Sequence, residues 1–237
     1  MNTVIFDLDG TLLSIDHDAF INGYFKELVK KIAPEGFDPG MLAESIKAGT
    51  TAMIQNDGSM RNEERFWGTF ALFHGKEAGN LVDKFLHFYQ NDFQKFSCYA
   101  KPDPLVKQIT DELKNKGYDL LMATNTLFPL VATATRIRWA GINPEIFSYI
   151  STYENSSFSK PKIEYYKEIL AKTNKDAAEC LMVGNGIEDD MIISKLGSQT
   201  FLITDSVDPA VLEHQYVTLA GTRQDLFEYV KKLPAIK

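Results

Sequence analysis

Two aspartates, Asp7 and Asp9, close a short apolar run and are followed at once by Gly10 and Thr11. The run from Thr3 to Leu8 is apolar, β-branched and aromatic, which predicts a buried strand. Residues two apart project to one face while a strand lasts. Here Gly10 and Thr11 begin a turn, so both carboxylates can face the crevice beyond the strand's C-terminal end. That end is where parallel α/β sheets bind ligands. Close carboxylates repel unless a cation or proton lies between them. The pair therefore suits a hard divalent cation held by oxygen ligands, or a nucleophile beside a separate acid–base group. Taken alone, Asp-Gly is also an ordinary turn former, so the elements around it decide.

Those elements alternate. A helix is expected from about Asp103 to Lys116, with Val106, Ile109 and Leu113 at helical spacing and Gly117 as its stop. A second strand, Tyr118 to Ala123, follows. Further strands are expected at Phe147–Ile150, Cys180–Val183 and Gln199–Ile203, with helices at Pro129–Ala140, Ile163–Thr173 and Ile187–Leu196. Strands alternating with helices predict an α/β fold: a Rossmann-like parallel sheet with helices on both faces. Leu226 to Leu233 reads as a closing helix.

The span between the first two strands breaks the alternation. Roughly a hundred residues intervene where an ordinary crossover holds one helix. They look helical throughout: Phe20, Tyr24, Leu28 and Ile32 share one face. More helices are expected at Met41–Ile54, Asn62–Phe73 and Glu77–Phe93, with turns at Pro34–Gly36 and Asn56–Ser59. This predicts an α-helical cap domain over residues 16–98, inserted into a catalytic core of residues 1–15 and 99–237. The aromatic stripe Phe66, Trp67, Phe70 and Phe73 reads as cap core packing.

Composition narrows the function classes. The chain has 237 residues, 44% of them hydrophobic, and a formal net charge of −7. That balance disfavours nucleic acid as a partner, since its phosphates call for basic stripes. No apolar run reaches the ~20 residues of a membrane span, so no membrane partner is expected, and the start of the chain does not read as a secretory signal. Cys98 and Cys180 form no CxxC pair or disulfide framework, and a cytoplasmic setting is expected. Asn155-Ser156-Ser157 matches the glycosylation pattern but would go unused there. The histidines His17, His74, His87 and His214 are scattered, with only His17 near the first aspartates. No GxxxxGK[ST], HExxH or CxxC template is present.

In order along the chain, the Asp7–Thr11 segment, Thr124 and Asn125 at the end of the second strand, Lys160 in Ser159-Lys160-Pro161, and Gly184-Asn185-Gly186-Ile187-Glu188-Asp189-Asp190 form a set. This set resembles the haloacid dehalogenase superfamily of phosphohydrolases over nearly the whole chain. The resemblance implies Asp7 as nucleophile and Asp9 as general acid and base. It matches Thr124 to the second motif and Lys160 to the third, and reads the helical insertion as the cap many members carry. Gly10, Thr11, Thr124, Asn125 and Lys160 are the expected substrate-binding residues. Asp7, Asp9, Asn185, Asp189 and Asp190 are the expected ligands of Mg2+, and the expected partner is a small phosphorylated metabolite. The Asn56–Ser59 turn is expected to point into the active site, as such turns do in related caps.

Phosphoryl transfer is mostly positioning and charge stabilisation. Asp7 would attack phosphorus in line. Asp9 would protonate the leaving oxygen and later take a proton from water. Thr124 would offer a hydroxyl and Lys160 a point charge. One departure stands out: the fourth motif usually opens Gly-Asp, and here it opens Gly184-Asn185. Asn185 keeps an oxygen ligand but loses its charge. Asp189 and Asp190 could equally be acids complementing a helix start. The favoured reading is a magnesium-dependent phosphatase acting through an aspartyl-phosphate on Asp7. The alternatives are a haloacid dehalogenase, against which Asp9 argues because halide leaves without a proton, and a phosphate-binding or interaction module without turnover, which Asn185 supports. A mutase fits the same motifs.

Overall fold

In the computed structural model, which describes residues 1–205 and 214–236, the strands assemble as expected into one parallel sheet. In chain order they are β1 (Thr3–Phe6), β2 (Ser14–Ile15), β3 (Ala100–Lys101), β4 (Asp119–Met122), β5 (Tyr149–Ile150), β6 (Cys180–Gly184), β7 (Gln199–Ile203) and β8 (Leu219–Gly221). The main sheet runs β5-β4-β1-β6-β7-β8, and every pair in it is parallel. The chain builds outward from β1 through β4 to β5, then returns to the other side of β1 to lay down β6, β7 and β8. β1 is therefore the switch point, where such sheets open a crevice at their carboxyl edge. The register puts Phe6 level with Met122 of β4 and Val183 of β6. Asp7, Thr124 and Asn185 consequently leave the sheet side by side.

The sheet holds because β1 alternates its faces. Val4 and Phe6 pack with Leu120, Met122, Leu181 and Val183 against helices α5 (Pro104–Asn115) and α8 (Arg223–Lys232). Ile5 packs with Leu121 and Met182 on the other face, against α7 (Ile163–Thr173). Each such side chain contributes about 1.5–3 kcal/mol when fully buried, and all of β1 is buried. α8 starts at Arg223, earlier than the expected Leu226, because Thr222 and Asp225 form a reciprocal cap. β8 lacks any periodic signal in its three residues and was not anticipated.

Between β2 and β3 the chain forms α1 (His17–Ile32), α2 (Pro39–Ile54), α3 (Asn62–His74) and α4 (Ala78–His87). β2 and β3 pair antiparallel, Ser14 with Lys101 and Ile15 with Ala100, so chain enters and leaves the helical insertion through one small ribbon. Phe20, Leu28 and Ile32 bury one face of α1, as their spacing predicts. Phe66 and Phe70 join the same core while Phe73 stays exposed. This cluster also takes in Phe128 and Ala132, from the loop before α6 (Leu130–Trp139) and from α6 itself.

Two helices differ from expectation. The one expected over Glu77–Phe93 is α-helical only to His87 and continues in a wider turn through Asp92, where Asn91 donates to the His87 carbonyl at 2.9 Å. The one expected over Ile187–Leu196 is a short tight helix beginning at Met191. Its first residues are instead a closed loop: the Asp190 and Met191 amides return to the Gly186 carbonyl, and Asp190 Oδ2 accepts from the Asn185 and Gly186 amides. That carboxylate folds the loop back on itself ahead of Met191.

Candidate active site

Asp7 follows the last residue of β1 and is 7% exposed. The chain then turns sharply, with the Leu8 carbonyl accepting from the Thr11, Leu12 and Leu13 amides. Gly10 adopts φ 82°, and a Cβ there would lie 2.2 Å from the Asn185 amide nitrogen. Glycine thus serves both the turn and the close approach of the first and fourth motif loops. Arg223 ties the turn down from α8: its Nε donates to the Thr11 carbonyl at 2.7 Å and its Nη2 to the Gly10 carbonyl at 3.0 Å. Its charge is balanced by Asp205.

Around Asp7 the groups form a buried chain. Lys160 Nζ donates to Asp7 Oδ1 at 2.7 Å and to Asp190 Oδ1 at 2.6 Å. The Thr11 hydroxyl lies 3.0 Å from Asp7 Oδ2 and 3.2 Å from Asn185 Oδ1. A Cβ on residue 184 would meet Asp190 Oδ2 at 2.3 Å, so Gly184 is what admits that carboxylate beneath the loop. Burial works against the Lys160 ammonium, but Asp190 and Asp7 outweigh it and hold its pKa well above the ordinary lysine value. Burial pushes Asp190 up; Lys160 opposes, Asp7 reinforces, and the result is a raised carboxyl. The two partners differ because the lysine faces two opposite charges while Asp190 faces one opposite and one like charge.

Asp9 turns the other way, onto the buried Arg136 of α6, whose Nη1 donates to its Oδ2. Burial raises the Asp9 carboxyl, Arg136 opposes and Asp7 reinforces. The side chain keeps 21% of its surface open, so water tempers that rise. Thr124 is buried, with its carbonyl held by Ser151 Oγ at 2.9 Å and the Tyr165 hydroxyl at 2.8 Å. Among the described residues its own hydroxyl has no partner, and neither does the side-chain amide nitrogen of Asn125.

These groups line a cavity of about 540 Å³. Its wall includes Asp7, Asp9, Gly10, Thr124, Asn125, Lys160, Asn185, Asp189 and Asp190, with Ser14, Ile15 and His17 where the helical insertion begins. A smaller cavity of about 200 Å³ lies between Tyr24, Phe66, Trp67 and Tyr89 of the helical insertion and Leu127 and Tyr153 of the core; none of the motif residues reaches it.

Thr11 is 1% exposed and outside the cavity wall. The Gly10 and Thr11 amides are spent inside the turn, on Leu13 and Leu8, so neither residue offers an amide to a ligand; Thr11 instead orients Asp7 and Asn185. Both Asp190 oxygens are taken by protein donors, which makes it an anchor for Lys160 and the loop. Asp189 lines the cavity from an exposed position, and no donor holds its carboxylate among the described residues. The Asn56–Ser59 turn does not line the cavity. It docks on the core, where a Cβ at Gly58 would meet the Phe158 ring at 2.2 Å, and buried Asn56 donates to Asn62. Asn62 in turn donates to Thr126 Oγ1 at 2.8 Å and Ser159 Oγ at 3.1 Å, joining the second and third motif loops. Asn155 is likewise structural: its side chain accepts from the Thr152 amide and donates to the Ile150 carbonyl.

The donor set also bears on a metal ion. Among the described residues no three His, Cys, Asp or Glu side chains cluster as a metal site. What faces the cavity is oxygen of mixed kinds: the Asp7 and Asp189 carboxylates and the Asn185 amide. With Lys160 engaged by Asp7 and Asp190, the Asp189 carboxylate adds negative charge that no protein cation pairs with among the described residues. That residue of charge and the all-oxygen character fit one hard divalent cation that retains several waters.

A parallel sheet with paired aspartates at the edge of its central strand, and a lysine bridging two acids beside them, defines an α/β protein with a crevice built around an aspartate. Among the described residues no helix is long and apolar enough to cross a membrane. The chain belongs to the haloacid dehalogenase-like hydrolase family, whose model matches residues 1–197. Pyrophosphatase PpaX of Bacillus velezensis is 22% identical over 200 residues, which span 84% of this chain and 82% of PpaX. A 2-haloacid dehalogenase from Pseudomonas syringae pv. Tomato shares the fold with a TM-score of 0.63 at 17% identity, covering 98% of both chains. The HAD-hydrolase YfnB of Bacillus subtilis, bound to magnesium, does so with a TM-score of 0.55 at 19% identity, covering 97% of this chain and 98% of YfnB. Fold alone spans several chemistries, so the site must choose between them.

Sequence reading missed Arg136, Arg223, Asp205 and Tyr165. Arg136 carried a usable signal, since it stands in the buried register of α6 beside Ala132, Thr133 and Ile137. The other three are brought in by strand order alone.

Proposed function

We propose that this hydrolase is a magnesium-dependent phosphatase that cleaves a small phosphomonoester through an aspartyl-phosphate on Asp7. The observation that carries the reading is Asp9, a second carboxylate that opens onto the same cavity as Asp7 and has its own buried cation. Displacing halide needs no such acid; releasing an alcohol from phosphate does. The match to a pyrophosphatase over 84% of the chain supports the same choice.

Asp7 attacks phosphorus with a carboxylate oxygen. Lys160 holds that side chain in place and offsets its charge, and Asp190 fixes Lys160. The free Thr124 hydroxyl and Asn125 amide donate to phosphate oxygens. Asp9 gives a proton to the departing oxygen, then takes one from the water that cleaves the aspartyl-phosphate. Mg2+ would be held by the Asp7 carboxylate, the Asp9 backbone carbonyl and Asn185 or Asp189; its chemistry is to offset repulsion between an anionic nucleophile and an anionic substrate. Residues 16–98 act as the cap over a core of 1–15 and 99–237, and His17 is the cap residue in the wall of the cavity. The cavity volume suits a metabolite-sized ester. Cys98 and Cys180 are both unpaired, which supports a reducing, cytoplasmic setting.

The test is hydrolysis of p-nitrophenyl phosphate with and without magnesium, beside a 2-haloacid. Magnesium-dependent phosphate release is expected. Halide release without metal would replace this reading with dehalogenation, and phosphate binding without turnover would replace it with a binding module.

A further inference from the structure

We propose that Arg136 is the positioning residue for Asp9, an inference that rests on the phosphatase reading above. Arg136 is 1% exposed and cannot touch substrate itself. Its guanidinium lies over the Phe128 ring at 4.5 Å, and among the described residues its one acceptor is Asp9 Oδ2. Its Nε and Nη2 are buried without partners, as is Asp9 Oδ1. Such an arrangement is a poor way to stabilise a fold. Buried polar groups left unpaired are costly, and a well-packed apolar side chain of similar volume commonly does as well as a buried ion pair or better. What the arrangement does secure is the direction of one carboxylate.

The cations of the site are divided accordingly. Lys160 is engaged by Asp7 and Asp190. Arg223 is engaged by Asp205 and by the carbonyls of the turn. That leaves Arg136 to hold Asp9 apart from Asp7, so that two close acids keep different tasks. The ring beneath the guanidinium fixes its plane, and α6 begins a few residues after Thr124 and Asn125. The second motif and the holder of the acid–base group are therefore set by one continuous segment. Without Arg136, Asp9 is free to turn toward the other basic groups of the wall, His17 and Lys160.

The experiment is a kinetic double-mutant cycle on the full chain with magnesium, using Arg136→Met, Asp9→Asn and the double variant. The probes are an alkyl phosphate and p-nitrophenyl phosphate. Arg136→Met should lower kcat for the alkyl ester roughly 10- to 100-fold, part of the ~10²–10⁴ a general acid–base group supplies, with KM nearly unchanged. The aryl ester, whose oxygen leaves without help, should lose far less. Added to Asp9→Asn, Arg136→Met should cost nothing further, because the group it positions is gone. Arg136→Lys should recover part of the loss, and it replaces Arg136→Met in the cycle if the methionine variant does not fold. Additive losses, equal losses on both esters, or a loss confined to KM would overturn the assignment while wild-type turnover keeps the phosphatase reading standing. No turnover by the wild type on either ester would overturn both.

Discussion

Replacing Lys160 with methionine removes the ammonium that sits between Asp7 and Asp190 and leaves a side chain of similar length. Both carboxylates are almost fully buried, at 10% and 2% side-chain exposure, so water cannot take over. Breaking a buried pair by removing one partner costs about 3–5 kcal/mol. For a chain of this size each kcal/mol moves Tm by about 2–4 °C, so Lys160→Met should melt roughly 6–20 °C below wild type at pH 7.5. The loss should depend on pH. Asp190 is raised in the fold to about 6, so its ionised form is penalised above that pH and the penalty disappears as it protonates. Without Lys160 the Asp190 carboxyl is pushed up further, so the variant's deficit should shrink as pH falls toward 6, where it takes up its proton before wild type does. The assay is thermal unfolding of both proteins between pH 5 and 8 in metal-free buffer. A Tm within about 2 °C of wild type at neutral pH, or a deficit that widens toward pH 5, would refute this electrostatic argument.

Asp9→Asn should slow hydrolysis of alkyl phosphates by ~10²–10⁴-fold and of p-nitrophenyl phosphate much less; equal losses in steady-state kinetics would assign Asp9 a structural role. Asn185→Asp adds a formal charge at the fourth motif and should lower the magnesium concentration for half-maximal activity; an unchanged titration would turn attention to Asp189. Asn62→Leu removes its hydrogen bonds to Thr126, Ser159 and Asn56, which keep other partners, and should cost about 1.5–4.5 kcal/mol, from three lost bonds at ~0.5–1.5 kcal/mol each. Urea unfolding checks it, and a midpoint equal to wild type would show that this network does not hold the motif loops together.

The parallel sheet was legible because each strand is a compact apolar run and each helix repeats its apolar residues at helical spacing. β1, β4, β6 and β7 and helices α5 and α7 all fall where that pattern puts them. The motif residues were legible through types and order in the chain; Asp7, Thr124, Lys160 and Asn185 come together because β1 lies between β4 and β6, an order that α/β alternation alone does not fix. What stayed hidden depends on partners distant in sequence. Asp190 read as a metal ligand, since nothing local shows that the Asn185 and Gly186 amides and Lys160 take both its oxygens. Arg223 lies 212 residues from the carbonyl it holds. The docking of the Asn56–Ser59 turn was misjudged because its position depends on Phe158, on the far side of four helices in sequence. His214 was noted as one of four scattered histidines, and it stays clear of the cavity wall.

The central claim is that Asp7 carries the phosphoryl group. The most direct measurement is acid quench of the wild-type chain during turnover of p-nitrophenyl phosphate with magnesium, followed by peptide mass spectrometry. The expected result is one phosphoryl group on the peptide containing Asp7, labile to hydroxylamine as an acyl phosphate is, and absent from Asp7→Asn. Phosphate release at full rate with no modified peptide, or a phosphoryl group mapped to any other residue, would contradict it.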